Sequence, residues 1–124
     1  MADNITFPLV TGLPVGDEFL RDVTLREVRA GDIIEAQEEA EKLVHTPGGP
    51  ALVASPTLLG LGVLRRQIVS IGNVQGPISL KELKRLTPHD LGMIQAEADR
   101  LDAAVAMALA RQGADRGRSD GAHE

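Results

Sequence analysis

The chain contains no cysteine, no tryptophan and no tyrosine, and Phe7 and Phe19 are the only phenyl rings among its 124 residues. Without cysteine there is no disulfide scaffold, thiol nucleophile, iron–sulfur cluster or thiolate zinc site. With aromatics at 2%, modules that stack bases on aromatic platforms are excluded. A basic excess is missing too: the net charge is -5, against what a DNA-binding domain ordinarily carries. No apolar run approaches the ~20 residues of a membrane span. Met1-Ala2-Asp3-Asn4 has neither a basic n-region nor a long apolar h-region, so no signal peptide is expected. The expectation is a cytoplasmic protein without nucleic-acid or membrane partners.

What the chain does have is aliphatic. It is 43% hydrophobic, and a core built without rings must come from Leu, Ile, Val and Ala. The length suits one small domain. The expected class is α+β: an N-terminal β-hairpin, then a mainly helical region of about four helices ending in a long one. The expected domain covers residues 1–112, with a disordered tail at 113–124.

Ile5, Phe7 and Leu9 alternate with Thr6 and Pro8; beyond a turn-rich Gly12–Asp17, Phe19, Val23 and Leu25 alternate again. Period two marks strands with one buried face, here Ile5, Phe7, Leu9, Phe19, Val23 and Leu25, and a hairpin over about 4–28. Pro8 cannot donate a ladder hydrogen bond, which places the first strand at an edge.

Asp32, with Glu35 three residues on, reads as a capping-box-like start. The helix expected over 32–44 buries Ile33, Ala36, Ala40, Leu43 and Val44 and presents an acidic outside. Thr46-Pro47-Gly48-Gly49-Pro50 breaks it. Residues 58–71 form the most apolar stretch; Leu61, Leu64, Ile68 and Ile71 have helical spacing, and Gly72-Asn73 reads as the stop. Ser79 with Glu82 opens a short helix to Leu86. Thr87-Pro88-His89-Asp90 then combines an N-cap, a first-turn proline and an acid in the first turn. The helix expected over 88–112 turns Leu91, Ile94, Leu101 and Val105 inward, opposite Leu64 and Ile68.

The sequence offers little chemistry. His45, His89 and His123 lie far apart, and a metal site needs several convergent ligands. Ser55, Ser70 and Ser79 lack a nucleophile-elbow context. Gly60-Leu61-Gly62 has no third glycine at the dinucleotide spacing, and there is no Gly-Lys-Ser/Thr. Glu35, Glu38, Glu39 and Glu41 read as a solvated helix face. Lys81, Lys84 and Arg85 precede an acidic helix, which would repel phosphate. No enzyme, cofactor or metal is expected.

Charge is segregated. Residues 32–44 carry five acids and one base, 58–86 carry five bases and one acid, and 88–112 four acids and two bases. Either the basic middle packs between acidic helices, or it forms a docking surface of complementary sign.

Leu13-Pro14-Val15, followed by Val23-Thr24-Leu25-Arg26-Glu27-Val28-Arg29-Ala30-Gly31-Asp32, resembles the start of the Mu-like phage tail assembly chaperones. There a short β segment ends in a leucine-arginine-glutamate stretch and runs into a helix opened by aspartate. Leu83-Lys84-Arg85-Leu86-Thr87-Pro88-His89-Asp90-Leu91 is similar to the family's second mark, a leucine, a turn and an aspartate-leucine step into the last helix. Both segments set Leu and Asp seven apart, Leu25 with Asp32 and Leu83 with Asp90. The segment from Thr46 to Pro56 has no counterpart in the pattern.

The resemblance implies a protein of tail morphogenesis that binds the tape measure protein, keeps it soluble, helps recruit tail tube subunits and is absent from the finished particle. It also implies that a longer, frameshifted form is common in the family. A homo-oligomer is compatible. The rival expectations are a structural virion protein, such as a tail completion or tube-associated subunit, and a small helical nucleic-acid regulator. The partner-binding residues expected from the apolar stretch are Leu58, Leu59, Val63 and Val69.

Overall fold

The structure, a computed structural model, describes the backbone of residues 4–121, and within it the side chains other than those at 42–45, 52–54, 105 and 112–121. Strands β1 (Ile5–Val15) and β2 (Glu18–Leu25) form the hairpin, followed by helix α1 (Ala30–Ala40). A second hairpin, β3 (Glu41–Thr46) and β4 (Gly49–Ala54), leads to α2 (Pro56–Gln67). Strands β5 (Ile68–Ile71) and β6 (Val74–Gln75), helix α3 (Leu80–Leu83) and helix α4 (Pro88–Gly121) complete the chain. The α+β class, with strands first and a long helix last, is borne out.

The main sheet is antiparallel in the order β1-β2-β5-β6. Pro8 therefore does sit on an edge strand. The core lies between this sheet and helices α2 and α4: Leu13, Val23, Leu25, Leu64, Ile68, Ile71, Ile78 and Ile94 are fully buried. Leu64, Ile68, Ile94 and Leu101 are inward as expected, Leu91 is half-buried against the same cluster, and Val105 lies outside the described side chains. Because Leu101 is only 6% exposed, Leu101→Ala should lower stability by about 2–5 kcal/mol. A thermal melt checks this, and an unchanged transition would mean that the stripe does not hold the core.

Phe19 corrects the expected buried face: it is 59% exposed. Ile5, Phe7 and Pro8 pair with Leu25, Val23 and Asp22, but Leu13, Pro14 and Val15 pair with Leu20, Phe19 and Glu18. Between these runs β1 bulges, with four residues (9–12) facing the single Arg21 of β2. The alternation of β2 flips there, so Leu20 turns in and Phe19 out. Gly12 makes the bulge possible. Its φ is +99°, and a Cβ would lie 2.7 Å from the Leu20 carbonyl oxygen.

Two helix expectations and the break between them also change. The segment 32–44 is helical only to Ala40, and its last residues enter β3. Leu43 and Val44 lie outside the described side chains, and Ile33 is exposed rather than inward. Thr46–Pro50 is the tip of a hairpin, with Pro47-Gly48 as its turn, not a simple break. The helix expected over 58–71 stops at Gln67, and the β-branched Ile68, Val69 and Ile71 form a strand along β2. A continuous apolar run fits both states, and pairing to β2 decides it. Gly72 is accordingly a hairpin turn between β5 and β6.

Helix α4 continues past 112 to Gly121, through the segment expected to lack order, while 122–124 lie outside the described residues. Alanine at 103, 104, 106, 108 and 110 carries helical propensity up to 112, while Gly113, Gly117 and Gly121 give the extension little of its own. We propose that this end is dispensable for folding. Deleting 113–124 should leave the melting transition unchanged and remove only the ellipticity of the deleted turns. A marked drop in melting temperature would show that it docks.

Candidate functional site

The two segments that carry the family resemblance each bury an aspartate. Asp32 is the third residue of α1, not its cap; the N-cap is Arg29, whose backbone N–H donates to Asp32 Oδ2 at 2.8 Å. Arg26, in the link from β2, donates from both guanidinium ends to Asp32 at 2.8 Å, and also to the carbonyls of Glu27 and Arg66. The Arg26 hydrogen bonds hold the Asp32 carboxyl below its usual range, against burial.

Asp90 is fully buried in the first turn of α4. Thr87 caps that turn, its Oγ1 accepting from the Asp90 N–H at 3.1 Å. The Asp90 carboxylate accepts three successive backbone N–H groups of the β1 bulge, from Val10, Thr11 and Gly12, at 2.9, 3.0 and 2.8 Å. Burial pushes this carboxyl up, but the three donors together hold it below the ordinary value. Both aspartates are thus structural locks: one fixes α1 to the sheet, the other fixes α4 to β1.

The locks leave a cleft of about 360 Å³ between α1, α2 and α4. Its apolar walls are Val28, Ile33, Val63 and Leu64; Gln67, Gln95, Asp99 and Asp102 supply the polar side. Gly60 opens it further, since a Cβ there would meet nothing within 4 Å. Buried Gln67 donates to the Arg26 carbonyl and to Asp102 Oδ1, each at 3.2 Å. The Val28 N–H also donates to Asp102 Oδ1. Burial raises the Asp102 carboxyl, and the neighbouring charges of Asp99 and Asp32 add to that.

A second hollow, about 500 Å³, lies between α1 and the β5–β6 edge and includes Arg26, Arg29, Asp32, Glu35, Arg66 and Val69. Within it Arg26 pairs with Asp32, and Arg66 reaches Glu39, outside the hollow's lining, at 2.9 Å. Arg65 also pairs with Glu39, and these two arginines pull the Glu39 carboxyl down to about 2. The acidic α1 therefore does pack on the basic α2.

The four residues expected to bind a partner do not share one surface. Leu58 and Leu59 are half-buried in the first turn of α2, Val63 lines the cleft, and Val69 is the unpaired bulge residue of β5 beside the second hollow. The cleft residues Ile33, Asp99 and Asp102 went unread. One signal was available: Ile33 and Ile34 are adjacent on a short helix, so both cannot face one core. His89 is exposed in the first turn of α4, and the side chains of His45 and His123 lie outside the described residues. Among the described residues no His, Asp and Glu group is arranged to hold a metal ion, and no helix is long and apolar enough to cross a membrane.

The chain is similar to known proteins over most of its length. It is 44% identical to the Mu-like prophage FluMu protein gp41 of Haemophilus influenzae, over 94% of this chain and 89% of the relative. It is 45% identical to the probable tail assembly protein gp41 of Escherichia phage Mu, over 84% of this chain and 75% of the relative. The probable tail assembly protein FS-gp41 of the same phage is 44% identical, with 57% of its length covered. No solved structure matches. The family model described as tail assembly protein gp41 matches residues 9–118, a span that includes both buried aspartates and the whole cleft, and the chain belongs to that tail assembly family of Mu-like phages.

Proposed function

We propose that this protein is an assembly chaperone for long phage tails. In this reading it binds the tape measure protein, keeps it soluble until tube subunits arrive, and is absent from the finished particle. The observation that carries the reading is a cleft with apolar walls, left open on a protein of a tail assembly family. A holdase needs such a surface, because an elongated helical client exposes apolar stripes that would otherwise associate with one another. It needs no catalytic group.

Co-expression tests this. Wild-type protein should keep the tape measure protein of the same phage in the soluble fraction. A Leu59→Asp, Val63→Asp variant should fold and fail to do so, since Val63 lines the cleft and Leu59 lies one turn before it on α2. A wild type that neither protects nor co-purifies with the tape measure protein would sink the chaperone reading. Mass spectrometry of purified particles addresses virion content: a stoichiometric presence would make the protein a structural tail component instead.

A further inference from the structure

We propose that the cleft between α1, α2 and α4 docks a helical segment of the client protein, apolar along one stripe and carrying a lysine or arginine about one turn from it. The proposal rests on the chaperone reading and adds where the client binds and by what chemistry.

The two sides of the cleft differ in kind. Ile33 and Val63 present aliphatic surface from α1 and α2, and Ile33 keeps 42% of its surface exposed. The α4 side is acidic, with Asp99 and Asp102, and no lysine or arginine lines the cleft. Asp102 is held in place, yet among the described residues both of its hydrogen bonds fall on Oδ1. Its Oδ2 is left for an incoming donor. Two carboxylates three residues apart on one helix, facing an apolar wall, complement a helix whose apolar residues are followed by a cation. Asp99 accepts from Gln95 Nε2 at 2.9 Å, as Asp102 does from Val28 and Gln67, but a purely apolar client stripe would desolvate both charges with no cation to offset them, which is costly. The chemistry thus selects among apolar helices for those with a basic flank. Gly60 is where such a helix can come closest to α2.

The test uses the full chain and the tape measure protein encoded with it, co-expressed and recovered through a tag on the chain. Ile33→Asp alters the apolar wall, and Asp99→Lys reverses the charge at an exposed position. Ile34→Asp is the control: Ile34 is 55% exposed on the same helix but is not part of the cleft. Melting curves establish that each variant folds, and Asp99→Lys, being on the surface, keeps the test decisive if Ile33→Asp does not. Recovered client should fall by about tenfold or more with Ile33→Asp and with Asp99→Lys, and stay near wild type with Ile34→Asp. If wild type and all three variants recover client equally, the cleft is not the site, while the chaperone reading stands. If Ile34→Asp loses as much as Ile33→Asp, general stickiness replaces the cleft. If the cleft variants change sedimentation of the chain alone and leave client recovery intact, the occupant is a second copy and the proposal is overturned. If wild type recovers no client, the chaperone reading falls and this inference with it.

Discussion

Asp90→Ala should be among the most destabilising single substitutions in this chain. It removes one carboxylate and strands three backbone N–H groups, those of Val10, Thr11 and Gly12. Hydrogen bonds to a charged acceptor contribute roughly 1.5–3 kcal/mol each, and a buried donor left unpaired costs its full desolvation. With three such bonds sharing one acceptor and some water able to reach the bulge, the expected loss is about 3–6 kcal/mol. That is a large part of the ~5–15 kcal/mol available to a small domain. Urea unfolding at neutral pH measures it, and a loss below about 1 kcal/mol would show that the bulge finds other acceptors. The same bond set fixes a pH dependence. The Asp90 carboxyl sits lower in the folded chain than its ordinary 3.8. Its ionised form therefore stabilises the fold fully above that value. The contribution shrinks as pH falls below 3.8 and is gone once pH has passed through the lower, folded value. Asp90→Asn should differ most from wild type near neutrality and converge with it under strongly acidic conditions.

Asp32→Ala should produce the second large effect. It leaves the Arg26 guanidinium packed against α1 and α2 with only the carbonyls of Glu27 and Arg66. Breaking a buried ion pair from one side typically costs about 3–5 kcal/mol. The Arg26 side chain keeps 18% of its exposure, so about 3 kcal/mol is expected, at the low end. Replacing both partners separates the stranded charge from the fold. An Arg26→Met, Asp32→Leu double variant should recover most of the loss, leaving about 1 kcal/mol for the Arg29 N–H that Asp32 no longer caps. Chemical denaturation of the two singles and the double decides it. A double variant no better than Asp32→Ala would mean that the pair adds real net stability.

These two locks show what the sequence could and could not disclose. Leu25, Leu83, Asp32 and Asp90 were visible as a spaced pattern, and all four are buried. Their roles were not visible, because each aspartate is satisfied by groups that only the tertiary fold supplies. The partners of Asp90 lie 78 to 80 residues away. Caps were legible where they are local: Ser79 and Glu82 do form the reciprocal capping box, and Thr87 does cap α4. The strand at 68–71 was not, since its apolar run fits a helix equally well until β2 is placed beside it. Phe19 misled for a related reason. Alternation assumes an unbroken ladder, and the bulge at 9–12 breaks it. The cleft is half legible: the apolar run singles out Val63, but the helical face of 32–44 assigns Ile33 to the core, and the acids of α4 speak in the sequence only against phosphate binding.

The Asp90 contact also sets an order on how this protein can be made. A ribosome delivers the β1 bulge 78 to 80 residues before Asp90 at the start of α4. Closing a loop of some eighty residues is entropically slow compared with forming a hairpin. The β1–β2 hairpin can therefore pair early, but its bulge keeps three donors turned toward water until Asp90 has emerged. β1 is thus finished by a residue of a much later segment. Premature termination anywhere before residue 90 yields a chain whose opening strand has an unfilled edge, and unfilled edges pair with other chains. Truncated products should therefore be cleared or aggregate rather than persist as partly active forms.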